Sequence, residues 1–223
     1  MLTSLIDLLY PRICASCAEP IQPGDDMVCH SCFSKMAFCP YRSGQIHPIE
    51  KIFWGRSAVA AATSLLVFSK QGIGQELLHR LKYKGDREIG VYMGKLLGNR
   101  LSEYPEFAKV EGVIPVPLFE RKKQLRGYNQ SEVVAGGIAE VTGKPLITNY
   151  LQRIENNSSQ TRKGRLERSE NVRSAFSLDP RRFPNAEHLL LIDDVITTGS
   201  TLEACINLLS GRHKVSVATL AYQ

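Results

Sequence analysis

The stretch LLLIDDVITTGSTL, residues 189–202, constrains this chain more than any other. Four apolar residues run straight into Asp193 and Asp194; the chain then turns to Thr, Gly and Ser before an apolar helical pattern resumes. A short apolar run bounded by turn residues reads as a buried strand. In open α/β sheets, ligands bind at the carboxyl ends of such strands. The loop Val195–Thr201 leads into a helix, whose first N–H groups are unsatisfied and carry partial positive charge. Thr197, Thr198, Ser200 and Thr201 add hydroxyl donors, and Gly199 lets backbone approach a ligand closely. Two carboxylates beside a phosphate cradle would repel a bare phosphate, but they suit a ligand that also offers neutral hydroxyls. A ribose 5-phosphate has both parts: the acids accept from the ring hydroxyls and the loop takes the phosphate. The alternative is a plain helix start with one Asp as its cap. The complete string of strand, acids, loop and helix favours the ribose-phosphate reading, because a motif counts in its structural context.

The rest of the chain supplies that context. SAVAAATSLLVFSK (57–70) reads as strand material, with a hairpin as one arrangement. GQELLHRLKYKG puts Leu77, Leu78, Leu81 and Tyr83 near helical spacing and stops at Gly85. REIGVYMGKLLGNRLSE is a second helical pattern, weakened by its three glycines. GVIPVPL (112–118) is a strand, residues 129–143 a helix capped by Asn129 and stopped by Gly143, and KPLITNYL a strand. After the polar segment 153–172 come SAFSL and HLLLIDD as strands, the STLEACINLLSG helix and the final strand HKVSVATLAY. This alternation predicts an α/β fold: a mainly parallel sheet flanked by helices.

The amino-terminal segment, residues 1–50, is different, and we expect it to form a module separate from residues 51–223. Five of the six cysteines lie between Cys14 and Cys39. Cys14/Cys17 and Cys29/Cys32 form two C-x2-C pairs, the spacing of a structural Zn²⁺ site of four thiolates. Cys39 is left as a fifth thiol or an exchanged ligand, and Cys205 sits on the apolar face of its helix, where a core role is expected. The start MLTSLIDLLYPR lacks a basic signal-peptide region and no apolar run reaches membrane length, so a cytoplasmic protein is expected. A formal net charge of +6 points to an anionic partner or to a merely basic surface.

The string at 189–202 resembles the phosphoribosyl pyrophosphate (PRPP) motif of type I phosphoribosyltransferases. With LKYKGDREIG (81–90), PVPLFERKKQLRGYNQSE (115–132), QTRKGRLERSENVRSAF (160–176) and the cysteine pairs, the chain resembles the ComF family (ComF/ComFC/GntX-like) over nearly its whole length. That resemblance implies a type I phosphoribosyltransferase-like fold preceded by a four-cysteine zinc finger. It implies that Asp193 and Asp194 are the catalytic pair and that PRPP is held by them with Val195, Thr197, Thr198, Gly199, Ser200 and Thr201. The loop after IPVP, with Pro117, Arg121, Arg126 and Gly127, would hold pyrophosphate. Residues 153–172 would form the loop that closes over the site, with Gln160, Arg162, Arg165 and Arg168 facing the departing pyrophosphate. Mg²⁺ would arrive with PRPP. The implied activity is transfer of a phosphoribosyl group to an acceptor that the sequence does not name, in natural transformation or DNA uptake. The other reading is a regulatory or single-stranded-DNA-binding protein that uses the PRPP fold without transfer. Leu2 stands where a glutaminase nucleophile would be, so an amidotransferase reaction is not expected.

Overall fold

A computed structural model describes residues 11–40, 43–154 and 175–223. Its centre is a four-stranded sheet in the order β1-β6-β5-β2, formed by β1 (Ala62–Val67), β6 (Lys214–Tyr222), β5 (His188–Ile196) and β2 (Gly112–Pro115). Every pairing in it is parallel. A separate antiparallel pair joins β3 (Leu151–Arg153) to β4 (Phe176–Leu178).

Alternate residues of β5 and β6 feed two apolar layers. Leu190, Ile192, Ala218 and Leu220 face one layer, together with α3 (Ile73–Tyr83), α4 (Arg87–Ser102) and α6 (Gln130–Thr142). Leu189, Leu191, Val215 and Val217 face the other, with α2 (Pro48–Phe53) and α7 (Ser200–Leu209). The near-continuous apolar runs of these strands follow from burial on both faces. The glycines that weaken α4 as an isolated pattern have a packing role. A Cβ on Gly94 would run into the Val134 carbonyl and Gly137 of α6, so the small residues let two helices touch backbone to backbone.

The helix at 130–142 forms as expected: Asn129 Oδ1 accepts from the Ser131 N–H at 3.2 Å, and Gly143 closes the helix at φ 67°. Other expectations change. Within residues 57–70 only Ala62–Val67 forms a strand, β1, and it makes no hairpin because its partner is the distant β6. KPLITNYL pairs with the central sheet only through a bridge from Leu146 to Val113, and strand pairing begins at Leu151. The segment after IPVP is less of a loop than expected: Glu120–Arg126 is a short helix, α5, with Glu120 in its first turn, Arg126 in its last and Gly127 at φ 76° beyond it. That charge placement complements the helix dipole.

The four-cysteine segment packs directly on the sheet. Cys14, Cys32, Met36 and Cys39 share one buried cluster with Leu65, Leu77 and Leu78. It contains the short helix α1 (His30–Ser34), and α2 runs across residue 50, where the expected module boundary lies.

Candidate functional site

Strand β2 stops pairing with β5 at Pro115↔Ile192, whereas β5 continues beside β6 to Ile196↔Tyr222. Asp193 and Asp194 therefore lie in the second half of the strand, at the point where one neighbour has left. The Val116 N–H still bonds the Ile192 carbonyl at 2.8 Å, and the chain then turns into α5. Beyond that point β5 has no strand on its β2 side among the described residues.

The two carboxylates are differently held. Asp193 Oδ1 accepts from the Ser131 hydroxyl at 3.0 Å and from the Asp194 N–H at 2.8 Å. Burial, then the Asp194 charge, push the Asp193 carboxyl up to about 7 against those donors and the Lys82 charge. Asp194 Oδ2 pairs with Lys82 Nζ at 3.0 Å, both groups being largely shielded from solvent. Val195 belongs to the strand and leans on the apolar layer of α3, α4 and α6. Thr197 and Thr198 are exposed and Gly199 is buried at φ 75°, with Ser200 and Thr201 opening α7. The Thr198 and Ser200 hydroxyls lie 3.1 Å apart. Among the described residues, no backbone N–H from Thr197 to Thr201 has a protein acceptor. They are the orphan donors of a helix start.

Gly199 also carries a packing constraint. A Cβ there would meet Ile52 Cγ2 at 2.8 Å and Phe53 Cε1 at 3.3 Å, so its missing side chain makes room for α2.

The expected pyrophosphate residues lie on α5 and at its two ends. Arg126 Nη1 donates to Gln130 Oε1 at 2.8 Å and stacks over the Tyr83 ring at 5.4 Å. Arg87 Nη2 holds the Gly127 carbonyl at 2.7 Å. Arg121 is exposed on α5 and Pro117 is half-buried. Tyr128 is 5% exposed and donates its hydroxyl to the Leu81 carbonyl, whereas Tyr83 is 66% exposed. Gln160, Arg162, Arg165 and Arg168 lie outside the described residues.

Sequence reasoning missed two cations here. Lys82 belongs to the quoted LKYKG stretch, yet only the fold brings α3 to Asp194. Arg153, at the end of β3, lies between the Phe119 ring at 3.5 Å and the Phe176 ring at 4.8 Å. Burial lowers its pKa, and its Nε has no partner among the described residues. Its signal was a single Arg beside a polar stretch, with nothing local to mark it.

At the other site, the sulfurs of Cys14, Cys17, Cys29 and Cys32 all lie within 4.8 Å of one another. Cys17 and Cys29 are 3.7 Å apart, close to the ~3.8 Å that tetrahedral Zn–S bonds impose. Burial opposes ionisation of Cys14, but backbone N–H groups of Cys17, Cys29 and Ser16 outweigh it and bring the thiol down to about 6. A preformed thiolate with N–H donors aimed at it fits a metal site. Cys39 is not part of this cluster: its Sγ lies 3.0 Å from His47 Nε2. Cys205 is fully buried in the layer beneath α7. Among the described residues, no helix is long and apolar enough to cross a membrane.

No protein-family model matches the chain. It is similar to competence protein F of Haemophilus influenzae, 36% identical over 138 residues that cover 60% of either chain. It is similar to competence protein ComFC of Bacillus subtilis, 29% identical over 193 residues, covering 80% of this chain and 75% of that one. DNA utilization protein YhgH of Escherichia coli is 28% identical over 140 residues, covering 60% of this chain and 59% of its own. The match thus spans only about three-fifths of competence protein F and of YhgH. Among solved structures, it resembles the allosteric regulatory enzyme of purine biosynthesis, with a TM-score of 0.38 and 19% identity over 60% of this chain and 26% of that one. It also resembles adenine phosphoribosyl transferase from Trypanosoma brucei, with a TM-score of 0.36 and 13% identity over 63% and 67%.

Proposed function

On the premise that this chain is a homologue of the competence proteins F and ComFC and of YhgH, we propose that it binds Mg-PRPP at the open end of β5 and transfers the phosphoribosyl group to a nitrogen acceptor during cytoplasmic handling of incoming DNA. The observation that carries this reading is the junction of two unlike groups of unmet hydrogen-bonding capacity. Asp193 and Asp194 lie where β5 has lost β2, and among the described residues the amides of Thr197–Thr201 have no protein acceptor. Carboxylates accept from sugar hydroxyls; a helix start accepts a phosphate.

In this reading Asp193 presents its Oδ2 to the ribose, because Oδ1 is already held by Ser131 and the Asp194 amide. Asp194 shares its charge between Lys82 and the second hydroxyl. Arg121, Arg126 and Gly127 receive pyrophosphate. Mg²⁺, bound with PRPP, would neutralise pyrophosphate charge. The protein's contribution is positioning and electrostatic stabilisation. Four thiolates would hold Zn²⁺ with a closed coordination shell, which assigns that metal a structural role.

Calorimetry with Mg-PRPP tests the reading. Asp193→Asn combined with Asp194→Asn should weaken binding by roughly 1.5–3 kcal/mol per lost charge-assisted bond while the protein stays folded. Wild-type affinity in that variant would end it.

A second reading, single-stranded DNA binding without transfer, is favoured by one specific feature: exposed Tyr83 beneath Arg126, beside the exposed Arg121, Lys122 and Lys123 of α5. Tyr83→Ala should then cost about 1 kcal/mol of oligonucleotide affinity. That affinity should fall steeply with salt.

A further inference from the structure

The loop that would take the 5-phosphate is gripped from behind by a segment the motifs do not include. The segment 47–57 is anchored at both ends. At its start, His47 Nδ1 accepts from the Ile49 N–H at 3.1 Å, which places the ring proton on Nε2, facing Cys39 Sγ. Glu50 Oε1 accepts from the Ala62 N–H at 3.3 Å, at the start of β1. At its end, the Ser57 hydroxyl donates to Asn207 of α7 at 2.8 Å. Between these anchors, Ile52 and Phe53 fill the space left by the missing Gly199 side chain.

Arg56 makes the decisive contacts. Its Nη1 donates to the Ile52 carbonyl at 3.2 Å and to the Thr198 carbonyl at 3.3 Å. Its Nη2 pairs with Glu203, a carboxylate almost wholly buried in the first turn of α7. The Glu203 N–H in turn bonds the Gly199 carbonyl at 2.8 Å. One guanidinium thus bridges α2, the loop and α7.

In a trans peptide the C=O and the following N–H point in opposite directions. Holding the Thr198 carbonyl toward Arg56 therefore turns the Gly199 N–H to the opposite side, away from α2. The geometry points to Arg56 as a positioning residue for the phosphate: it fixes the peptide plane whose N–H the phosphate would use, without touching the ligand. This inference rests on the ribose-phosphate reading of the loop. A planar fork is needed, because a lysine ammonium can keep the Glu203 charge company but cannot span two carbonyls and a carboxylate.

The test compares three ligands by calorimetry on the full-length, metal-loaded protein: Mg-PRPP, ribose 5-phosphate and inorganic pyrophosphate. Arg56→Lys should raise the dissociation constants of the first two by a common factor, roughly ten-fold, and leave pyrophosphate binding unchanged. Its thermal midpoint should stay near the wild-type value. Arg56→Gln with Glu203→Gln, which removes the charge pair without stranding a buried carboxylate, should behave alike. Amide NMR adds a readout that general stability would not move: the Gly199 resonance should shift in Arg56→Lys before any ligand is added. Unchanged ribose 5-phosphate affinity in Arg56→Lys overturns the assignment, as does an equal loss of pyrophosphate affinity, which would report general loosening. If the wild-type protein binds neither phosphoribosyl ligand, the underlying functional reading fails instead.

Discussion

The four-thiol corner and the open end of β5 both crowd like groups together, but the chain builds them in opposite ways. The thiols come from nineteen consecutive residues, Cys14 to Cys32, and their immediate support is local: N–H groups of Ser16 and Cys29 point at Cys14 Sγ, at 3.4 and 3.3 Å. The carboxylates are adjacent in sequence, yet most of what holds them arrives from far away: Ser131 from α6, Lys82 from α3 and, through the loop, Arg56. A local cluster is set up to gather around an ion. A cluster supported from a distance depends on the whole fold, and so can be tuned by residues with no motif of their own.

The largest effect should come from breaking the local site. Cys14→Ser should reduce metal content from about one Zn²⁺ per chain toward none. Because Cys14 and Cys32 pack with Leu65 and Leu77, the loss should spread to the sheet and lower stability by more than about 4 kcal/mol in urea unfolding. Wild-type stability in a metal-free Cys14→Ser protein would show the corner to be an ornament on an independent domain.

The next effect sharpens the description of the distant site through its proton. Burial raises the folded-state pKa of Asp193 to about 7, above its unfolded value. The folded state therefore holds this proton more tightly. The stability it contributes is complete below the unfolded pKa and is lost as pH rises through about 7. Ligand hydroxyls donate to the ionised carboxylate, so binding should expel up to about half a proton at pH 7, measurable by calorimetry in buffers of different ionisation enthalpy. In Asp193→Asn that release should vanish. Proton release of wild-type size in Asp193→Asn would assign the linkage to another group.

A smaller effect concerns Arg153, between its two phenylalanine rings. Arg153→Lys should cost roughly 0.5–2 kcal/mol of stability, the worth of a partly desolvated cation–aromatic contact. No loss would mean that the pair of rings holds its place unaided.

The contrast also explains what could be read from the chain. The thiol pairs and the acid-loop-helix string were legible because spacing in sequence equals spacing in space within one turn or one loop. The parallel sheet was legible from the buried runs of β5 and β6. Lys82, Arg56 and Arg153 were not, since each acquires its partner through tertiary packing. The α2 segment was hidden for a related reason: six residues carry too little periodicity to announce a helix, and Gly199, whose missing side chain accommodates it, reads equally well as a ligand-facing glycine. The same ambiguity hid α5, whose charges suit a phosphate loop and a short exposed helix alike.

The sheet order has a consequence for how this molecule comes into being. β6 lies between β1 and β5, and residues 62–67 meet partners at 217–222. While a ribosome is still making residue 214, β1 and β5 each lack a neighbour on the side that β6 will fill. Loop closure over so long a span makes the central pairing slow. Until it forms, two apolar strands carry unpaired edges that other chains can join. The nascent protein passes through a sticky interval, and any shortening that removes β6 divides the sheet through its middle.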